Sequence, residues 1–370
     1  MNYHIDKNAP EAAYLQLYRS IREAITDGSY RCGDRLPGKR AIAEDAGVSV
    51  ITAEHALQLL ADEGYIELRE RSGSYVAFQP DEVFPVGDPA EVRPLPEDPE
   101  ETEDPLPAVI PAEPFPFSVL SRVMRRTLSI YGEKILVRPP AFGLPELRLA
   151  VTAYLGRSRG IRVSPEQILI GSGSEYFYGM LVQMLGRDRI YGLEDPSYPQ
   201  IRKVYAANGA VCDFLKMGPD GIPSSELKRT KAGVLHVTPY HSYPTGVTAS
   251  SSRRHKYVEW ARSRSAFLIE DDVDSEFTMS SKAEDTAFSL EPERTVFYLN
   301  TLTRTVAPSI RVAYLVLPSA LAEEMKARVA FYSCSVPVYT QYLITELISG
   351  GEFERHINHV RRQLRSARQN

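Results

Sequence analysis

The pattern of apolar and polar positions divides the chain into a helix-rich part and a longer part in which strands and helices alternate. Apolar residues recur at helical spacing over 12–27, and further helices are expected at 39–46 and 50–63. Strand-like runs follow at 64–68 and 74–78. From residue 117 onward, short apolar runs alternate with helical stretches, which predicts an α/β domain with a largely parallel sheet. The candidate strands of that sheet are 167–171, 189–193, 234–238, 266–271, 295–299 and 312–317.

Residues 80–116 interrupt both patterns. They contain eleven prolines and eleven acidic residues against one arginine. Prolines and like charges keep such a segment extended, and it has too few apolar residues to bury a core. We therefore predict a domain over 1–79, a linker over 80–116 and a second domain over 117–370.

Composition narrows the class of protein. The chain has 370 residues, of which 43% are hydrophobic and 25% are charged, as in an ordinary globular protein. No apolar run reaches membrane-spanning length, and the N-terminus lacks a signal peptide's apolar stretch. Cys32, Cys212 and Cys334 are scattered without metal-ligand spacing, so we expect a cytoplasmic protein with no metal site. The net charge of −5 argues weakly against a nucleic-acid coat protein, yet a small DNA-reading face remains compatible with it.

The first domain has the layout of a winged helix-turn-helix. Gly47 ends the helix at 39–46, and Ser49 can cap the helix at 50–63. The two strand-like runs would then form the wing. Charge supports a DNA role only locally, because 1–79 carries a net charge of −3 whereas 31–40 carries +3.

This domain resembles the GntR-type winged helix in three motifs: L-P-G-K-R at 36–40, G-V-S-V-I-T at 47–52 and R-S-G-S-Y-V at 71–76. The resemblance implies that the helix at 50–63 enters the major groove of a DNA operator. The family often has an arginine where this chain has Val50, so we expect fewer phosphate contacts and a shallow salt dependence. The alternative is that these basic residues form only a solvated surface. The DNA contacts implied by the resemblance are Arg35, Lys39, Arg40, Ser49, Thr52, His55, Arg71 and Gly73, with Arg69 as a further backbone contact.

Six motifs follow one another along the second domain. They are G-L-P-E-L-R (143–148), R-G-I (159–161) with the strand after it, G-S-G-S (171–174), E-D-P-S-Y-P (194–199), H-S-Y-P-T-G (241–246) and E-D-D-V-D-S-E-F (270–277). With these motifs in this order, the domain resembles the large domain of fold-type-I aminotransferases, which use pyridoxal phosphate (PLP). The two domains together resemble the MocR/GabR-type transcription regulators.

The reactive half of the implied cofactor site departs from the family pattern. The family's lysine, which bonds covalently to the PLP aldehyde, is replaced by Arg304, whose guanidinium stays protonated and is no nucleophile. Val273 stands where the family has a tyrosine that hydrogen-bonds the ring hydroxyl. Asp271 is placed to face the pyridine nitrogen. The cofactor-binding residues implied by the resemblance are Ser172, Gly173, Ser174, Tyr198, Tyr243, Asp271, Thr301, Thr303 and Arg311.

Two interpretations of this site remain open. The site could bind PLP or another phosphorylated or anionic effector without a covalent bond, or its polar residues could only satisfy the ends of strands. After residue 311 we expect one strand, helices near 319–331 and 337–349, and a basic tail at 361–370. The family's small C-terminal domain, which supplies the arginine that binds the substrate carboxylate, is therefore expected to be missing.

We accordingly expect a homodimeric DNA-binding regulator with an aminotransferase-like body and no catalytic residue at position 304. The alternatives are a working PLP-dependent aminotransferase with an accessory DNA-binding domain and a body that only dimerises. The first of these needs a lysine that can reach the cofactor, and residues 298–314, which resemble the family's cofactor-anchoring segment, contain none.

Overall fold

The computed structural model describes residues 3, 5–6, 11–70, 72–79, 114–273, 275–277 and 285–369, without the side chains of 367–369. The chain separates into two compact units, Met1–Glu100 and Glu101–Asn370. Most of the expected linker, 80–113, lies outside the described residues, so the predicted domain boundaries stay predictions. No helix among the described residues is both long and apolar enough to cross a membrane.

The first unit packs three helices against a two-stranded hairpin. Its elements are α1 (Ala13–Thr26), α2 (Lys39–Ala46), α3 (Val50–Asp62), β1 (Ile66–Arg69) and β2 (Gly73–Val76). The two strands are antiparallel, and the segment that precedes α2 adds to β2 because Leu36 N donates to Ser74 O at 2.9 Å. The wing is therefore anchored to the start of the helix-turn-helix.

The core of this unit follows the predicted helical spacing. In α1, Tyr18, Ile21 and Ile25 are buried as expected, while Leu17 is fully buried and Leu15 only half-buried. The inner face of α3 is as predicted, because its buried residues are Ala53, Ala56, Leu57 and Leu60.

The second unit is a seven-stranded sheet covered by helices. Its helices are α4 (Phe117–Tyr131), α5 (Pro145–Arg159), α6 (Ser174–Leu185), α7 (Pro199–Ala207), α8 (Ser224–Arg229), α9 (Ser251–Ser263), α10 (Ala287–Leu290), α11 (Ala322–Val329), α12 (Val338–Ser349) and α13 (Glu352–Gln369). Its strands are β3 (Ile168–Gly171), β4 (Ile190–Asp195), β5 (Val211–Lys216), β6 (Val234–Val237), β7 (Phe267–Asp272), β8 (Val296–Thr301) and β9 (Ala313–Val316).

The sheet has the order β3-β9-β8-β7-β6-β4-β5. The run from β8 to β5 is parallel, and β9 is antiparallel to both of its neighbours. The prediction of a largely parallel sheet is confirmed. Both faces are buried: in β8, Tyr298 belongs to one apolar cluster, while Phe297 and Leu299 belong to the other. Since parallel strands end at the same edge, the loops after β4, β6, β7 and β8 meet there.

The central strand β7 ends in three consecutive buried carboxyl groups. Glu270 accepts the backbone N–H groups of Ala287 and Phe288 at 3.0 and 2.8 Å. Asp272 Oδ2 pairs with Arg159 Nη2 at 2.9 Å on the same face of the strand. Asp271 points to the opposite face, because side chains alternate along a strand.

Two elements differ from the sequence-based expectation. Strand β5 was not predicted, because its residues V-C-D-F-L-K mix apolar and charged positions at the edge of the sheet, where several side chains are exposed. The residues expected as a basic tail form the second half of helix α13. Phe353, Ile357 and Val360 are buried at helical spacing and hold this otherwise polar helix against the body.

Replacing Leu60 by alanine tests the core of the first unit. Leu60 is fully buried on α3, so Leu60→Ala should lower the free energy of unfolding by about 2–5 kcal/mol, through lost apolar burial and the cavity left behind. Urea denaturation of the full chain, followed by circular dichroism, measures the change. Gln58→Ala, at an exposed position of the same helix, should change it by no more than about 0.5 kcal/mol. Equal effects of the two substitutions would contradict the assigned packing.

Candidate ligand cavity and nucleic-acid interface

Helix α3 begins at a capped turn. Ser49 Oγ accepts a hydrogen bond from Thr52 N at 3.1 Å, and the two hydroxyl oxygens lie 2.8 Å apart. Gly47 has φ 62, the left-handed conformation that ends α2 and turns the chain toward α3. Both hydroxyls predicted to contact DNA thus lie at the N-terminal turn of α3, where the unpaired backbone N–H groups also favour an anion.

The wing carries a second candidate contact at Gly73. This residue has φ +122, and a Cβ atom placed on it would lie 3.1 Å from Arg35 Nε. Glycine therefore allows the exposed Arg35 side chain to lie across the turn of the wing. Arg71, also predicted to bind DNA, lies outside the described residues.

The remaining predicted DNA contacts are exposed. Lys39 Nζ lies 2.7 Å from Glu54 Oε1, and both side chains are about half exposed, so a phosphate group can replace the carboxylate at little cost. Arg40 is exposed one residue further along α2. The exposed His55 ring lies 4.8 Å from the Tyr14 ring of α1, which orients it.

In the second unit, a cavity lies where the ends of β7 and β8 meet the N-terminus of α6. Its empty space, counted together with the part that opens to solvent, is about 700 Å³. The residues predicted from sequence that line it are Ser174, Tyr198, Tyr243, Asp271, Val273, Thr301, Thr303, Arg304 and Arg311. Further lining residues, which the sequence analysis did not name, are Glu175, Tyr178, Ile201, Thr238 and His241.

Asp271 is held at the inner wall of the cavity by one of its two oxygens. Oδ2 accepts from the Tyr178 hydroxyl at 2.7 Å and lies 3.2 Å from His236 Nε2. His236 Nδ1 lies 2.7 Å from the Tyr205 hydroxyl, which extends the chain of polar contacts. Burial, followed by the nearby Asp271 carboxylate, raises the pKa of Tyr178 well above its usual range, so this phenol stays a donor.

The second oxygen of Asp271 is the clearest sign of a ligand. Asp271 is 1% exposed, and its Oδ1 has no hydrogen-bond partner among the described residues. An unpaired buried carboxylate oxygen is costly unless a donor reaches it. A ligand with a protonated ring nitrogen supplies such a donor, so the residues present fit the pyridine nitrogen of PLP.

The opposite end of the cavity can hold an anion. Arg311 and the N-terminus of α6 meet there, and Gly173, with φ +105, leaves room for the guanidinium: a Cβ atom on it would lie 2.9 Å from Arg311 Nη2. Arg311 also pairs with Glu175 at 2.9 Å. Glu175 was missed by the sequence analysis, although it directly follows Ser174 in the same helical turn. Any bound phosphate would therefore have this carboxylate as a neighbour.

The hydroxyl residues at this end divide into two sets. Thr301 Oγ1 donates to Thr303 Oγ1 at 3.0 Å, and both side chains line the cavity. Ser172 does not line it, because its hydroxyl lies 2.9 Å from Ser335 Oγ, in the segment before α12. Ser172 is thus engaged with the protein itself, whereas Thr301 and Thr303 face the site.

Two tyrosines form the aromatic wall. The ring centroids of Tyr198 and Tyr243 lie 6.3 Å apart and are nearly perpendicular. Glu194, at the end of β4, accepts from Ser242 Oγ at 2.7 Å and from Thr238 N at 3.2 Å. Glu194 thereby ties the loop that carries Tyr243 to the strand that precedes Tyr198.

Arg304 lines the cavity with a half-buried side chain, beside Val273. None of the described residues that line the cavity is a lysine. The site therefore offers two guanidinium groups, two carboxylates and an aromatic wall, which can hold a small anionic aromatic ligand but provide no amine for a covalent bond.

Comparison with known proteins finds a matching family for each of the two units. The model of the gntR family of bacterial regulatory proteins matches residues 13–76, and that of aminotransferase class I and II matches residues 101–370. The uncharacterized HTH-type transcriptional regulator YdeL of Bacillus subtilis is 31% identical, over 96% of this chain and 77% of that protein. The probable rhizopine catabolism regulatory protein MocR of Rhizobium meliloti is 28% identical, over 97% and 76%. The HTH-type pyridoxine biosynthesis transcriptional regulator PdxR of Corynebacterium glutamicum is 27% identical, over 98% and 79%.

Among solved structures, the kynurenine aminotransferase of Pyrococcus horikoshii has a TM-score of 0.61 and 24% identity. The match covers 67% of this chain and 64% of that enzyme, so this chain spans less than two thirds of its length. This likeness shows the fold alone. The chain belongs to the aminotransferase class I and II family, in the group of HTH-type regulators that carry a gntR-type domain.

The pH dependence of stability tests the role of Glu194. Burial raises the pKa of the Glu194 carboxyl to about 8, whereas a glutamate in the unfolded chain has a pKa of about 4.3. Between these two pH values Glu194 therefore holds a proton in the folded chain that it has lost in the unfolded chain. Stability from this group is therefore lost as pH rises through that window, by up to about 1.4 kcal/mol per pH unit. Glu194→Gln has no such proton.

Urea denaturation from pH 5 to pH 8 should show the Glu194→Gln variant gaining stability relative to the unmodified protein as pH rises. The Glu323 side chain is 85% exposed, so the free energy of unfolding of Glu323→Gln should change with pH in the same way as that of the unmodified protein. If that of Glu194→Gln does so too, the raised pKa is wrong.

Proposed function

We propose that this member of the aminotransferase class I and II family is a DNA-binding transcription regulator. Its aminotransferase-like body would dimerise and bind PLP or another phosphorylated or anionic ligand without a covalent bond. The observation that carries the proposal is the capped helix α3, with a hydrophobic inner face and an exposed outer face next to the basic residues of α2 and the wing. The relatives YdeL, MocR and PdxR bear the names of transcriptional regulators, which supports it.

On the DNA side, α3 would lie in the major groove. Ser49 and Thr52 present hydroxyls at its first turn, and His55 is exposed one turn later. Lys39 and Arg40 would contact phosphates from α2. Arg35 would contact a further phosphate from its position beside the wing. Fold-type-I bodies build their sites at a dimer interface, and a homodimer would present two such units to a repeated or inverted operator.

On the ligand side, PLP when bound supplies an electron-accepting pyridine ring. Asp271 would hold the ring nitrogen protonated through its unpaired Oδ1, and Tyr198 would pack on the ring. Arg311, the N-terminus of α6 and the hydroxyls of Thr301 and Thr303 would hold the phosphate. Ser172 would contribute little, since its backbone N–H donates to Ser335 Oγ at 3.2 Å and its hydroxyl oxygen accepts from the same group at 2.9 Å.

The aminotransferase alternative is weaker for one chemical reason. Transamination needs an amine that bonds to the cofactor aldehyde and then moves protons, and a protonated guanidinium does neither. Arg304 would instead contact the anionic or carbonyl side of a ligand. A ligand that binds one arrangement of the regulator better than another shifts the population toward it.

Arg40→Ala tests the DNA interface. Loss of one phosphate contact should weaken binding by a similar factor on all sequences and reduce the slope of log affinity against log salt by about 0.9. Gel-shift titrations at several salt concentrations, on DNA upstream of the protein's own gene, measure this. Arg229→Ala, at an arginine paired with Asp213 in the second unit, should leave the slope unchanged. Absence of any preferred site at moderate salt would contradict the regulator function itself.

A PLP titration followed by absorbance and calorimetry tests the ligand site. The unmodified protein should release heat without the absorbance band of a covalently attached cofactor, and Arg304→Lys should produce the band. Arg138→Lys is the matched control, at an exposed position where the arginine donates a hydrogen bond to Ser333, and it should not produce the band.

Asp271→Asn should weaken PLP binding, because an amide cannot keep the ring nitrogen protonated. A band in the unmodified protein, or no heat at all, would contradict non-covalent PLP binding.

A further inference from the structure

The first turn of α3 exposes two branched apolar side chains. Ile51 is 79% exposed and Val50 is 39% exposed. Single apolar residues on a surface are common and need no explanation by themselves. These two differ because they directly follow Ser49, the residue that caps the helix proposed to enter the major groove.

Ile51 occupies the centre of the outer face of α3. The buried residues Ala53, Ala56, Leu57 and Leu60 define the inner face. At 100° per residue, position 51 points almost directly away from the middle of that set. Ile51 therefore contributes little to the core, and its side chain projects into solvent.

The polar side chains on the same outer face have partners within the domain. Glu54 pairs with Lys39 at 2.7 Å, Gln58 Nε2 donates to Asp62 Oδ1 at 2.8 Å, and the His55 ring packs on Tyr14. Ile51 thus forms an apolar tip at the centre of the outer face, and Val50, about 100° away around the same first turn, flanks it. An apolar tip of this kind can pack against an apolar group on the DNA.

In the major groove, the 5-methyl group of thymine is the apolar feature that distinguishes one base pair from the others. We propose that Ile51, with Val50 beside it, packs on thymine methyl groups and makes this protein prefer operators with a thymine at a fixed position in each half-site. The inference rests on the proposed DNA-binding function. It also gives a physical role to Val50, at the position where the resembled family often has an arginine.

Uracil replacement tests the proposal, because uracil differs from thymine only by the lost methyl group. Preferred sites are first selected from a library of random duplexes with the full chain. Each thymine of the selected site is then replaced by uracil, one at a time, and affinities are measured at fixed salt. At one or two positions per half-site, the replacement should weaken binding by roughly fourfold, the effect of one buried methyl group.

Ile51→Ala links the effect to the protein. On the thymine-containing site it should bind about as weakly as the unmodified protein binds a site with uracil at all the sensitive positions, and its own thymine-to-uracil difference should vanish. Its unfolding transition should be unchanged, because Ile51 makes little contact with the core. Val211→Ala, at a 61% exposed valine of β5, should keep both the affinity and the uracil effect.

Four results are informative. Loss of the uracil effect in Ile51→Ala alone supports the proposal. Specific binding with no uracil-sensitive thymine, or an undiminished uracil effect in Ile51→Ala, overturns the proposal and leaves the DNA-binding function standing. No enrichment of any sequence overturns the DNA-binding function and this inference with it.

Discussion

The second unit depends on burying three consecutive carboxyl groups at the end of its central strand. Glu270 and Asp272 are satisfied from one face of β7, by backbone N–H groups and by Arg159. Asp271 faces the other side, where Tyr178 and His236 satisfy only one of its oxygens. Burying charge is costly unless each group is paired. Glu270 and Asp272 are therefore fully satisfied within the domain, whereas Asp271 keeps one oxygen without a partner among the described residues, on the side where the cavity lies.

The cavity contains the groups that we propose to hold a cofactor, but none of its described lining residues is a lysine that could react with one. Asp271 and Arg311, proposed to bind the ring nitrogen and the phosphate, lie among its lining residues together with Arg304. Glu175 adds a carboxylate beside Arg311 and moderates the positive charge at the phosphate end. Binding energy at such a site has no chemical step to drive, so it is available to shift a conformational equilibrium.

The DNA-binding unit has little positive charge with which to bind a polyanion. Its net charge of −3 gives no general attraction to a polyanion, and the basic residues are concentrated in 31–40 and the wing. Sequence discrimination then falls to base contacts made by α3, since phosphate contacts carry no sequence information. An apolar tip at Ile51 supplies discrimination without adding charge. Weak electrostatic attraction to DNA and apolar contacts with bases are thus compatible on this face.

The sequence by itself determined the winged helix, the parallel sheet and the order of the cofactor motifs, because helical spacing, caps and turn residues act within a few positions of each other. It also determined that residue 304 cannot form a covalent bond to PLP, which is a property of the guanidinium. Tertiary structure alone decided that Ser172 turns to Ser335, that Glu175 pairs with Arg311, and that Asp271 keeps one oxygen unpaired. Those outcomes join atoms from distant strands and helices, and no local pattern encodes such distances. Edge strand β5 and helix α13 belong to the same class, since β5 is held by its pairing with β4 and α13 by the burial of Phe353, Ile357 and Val360.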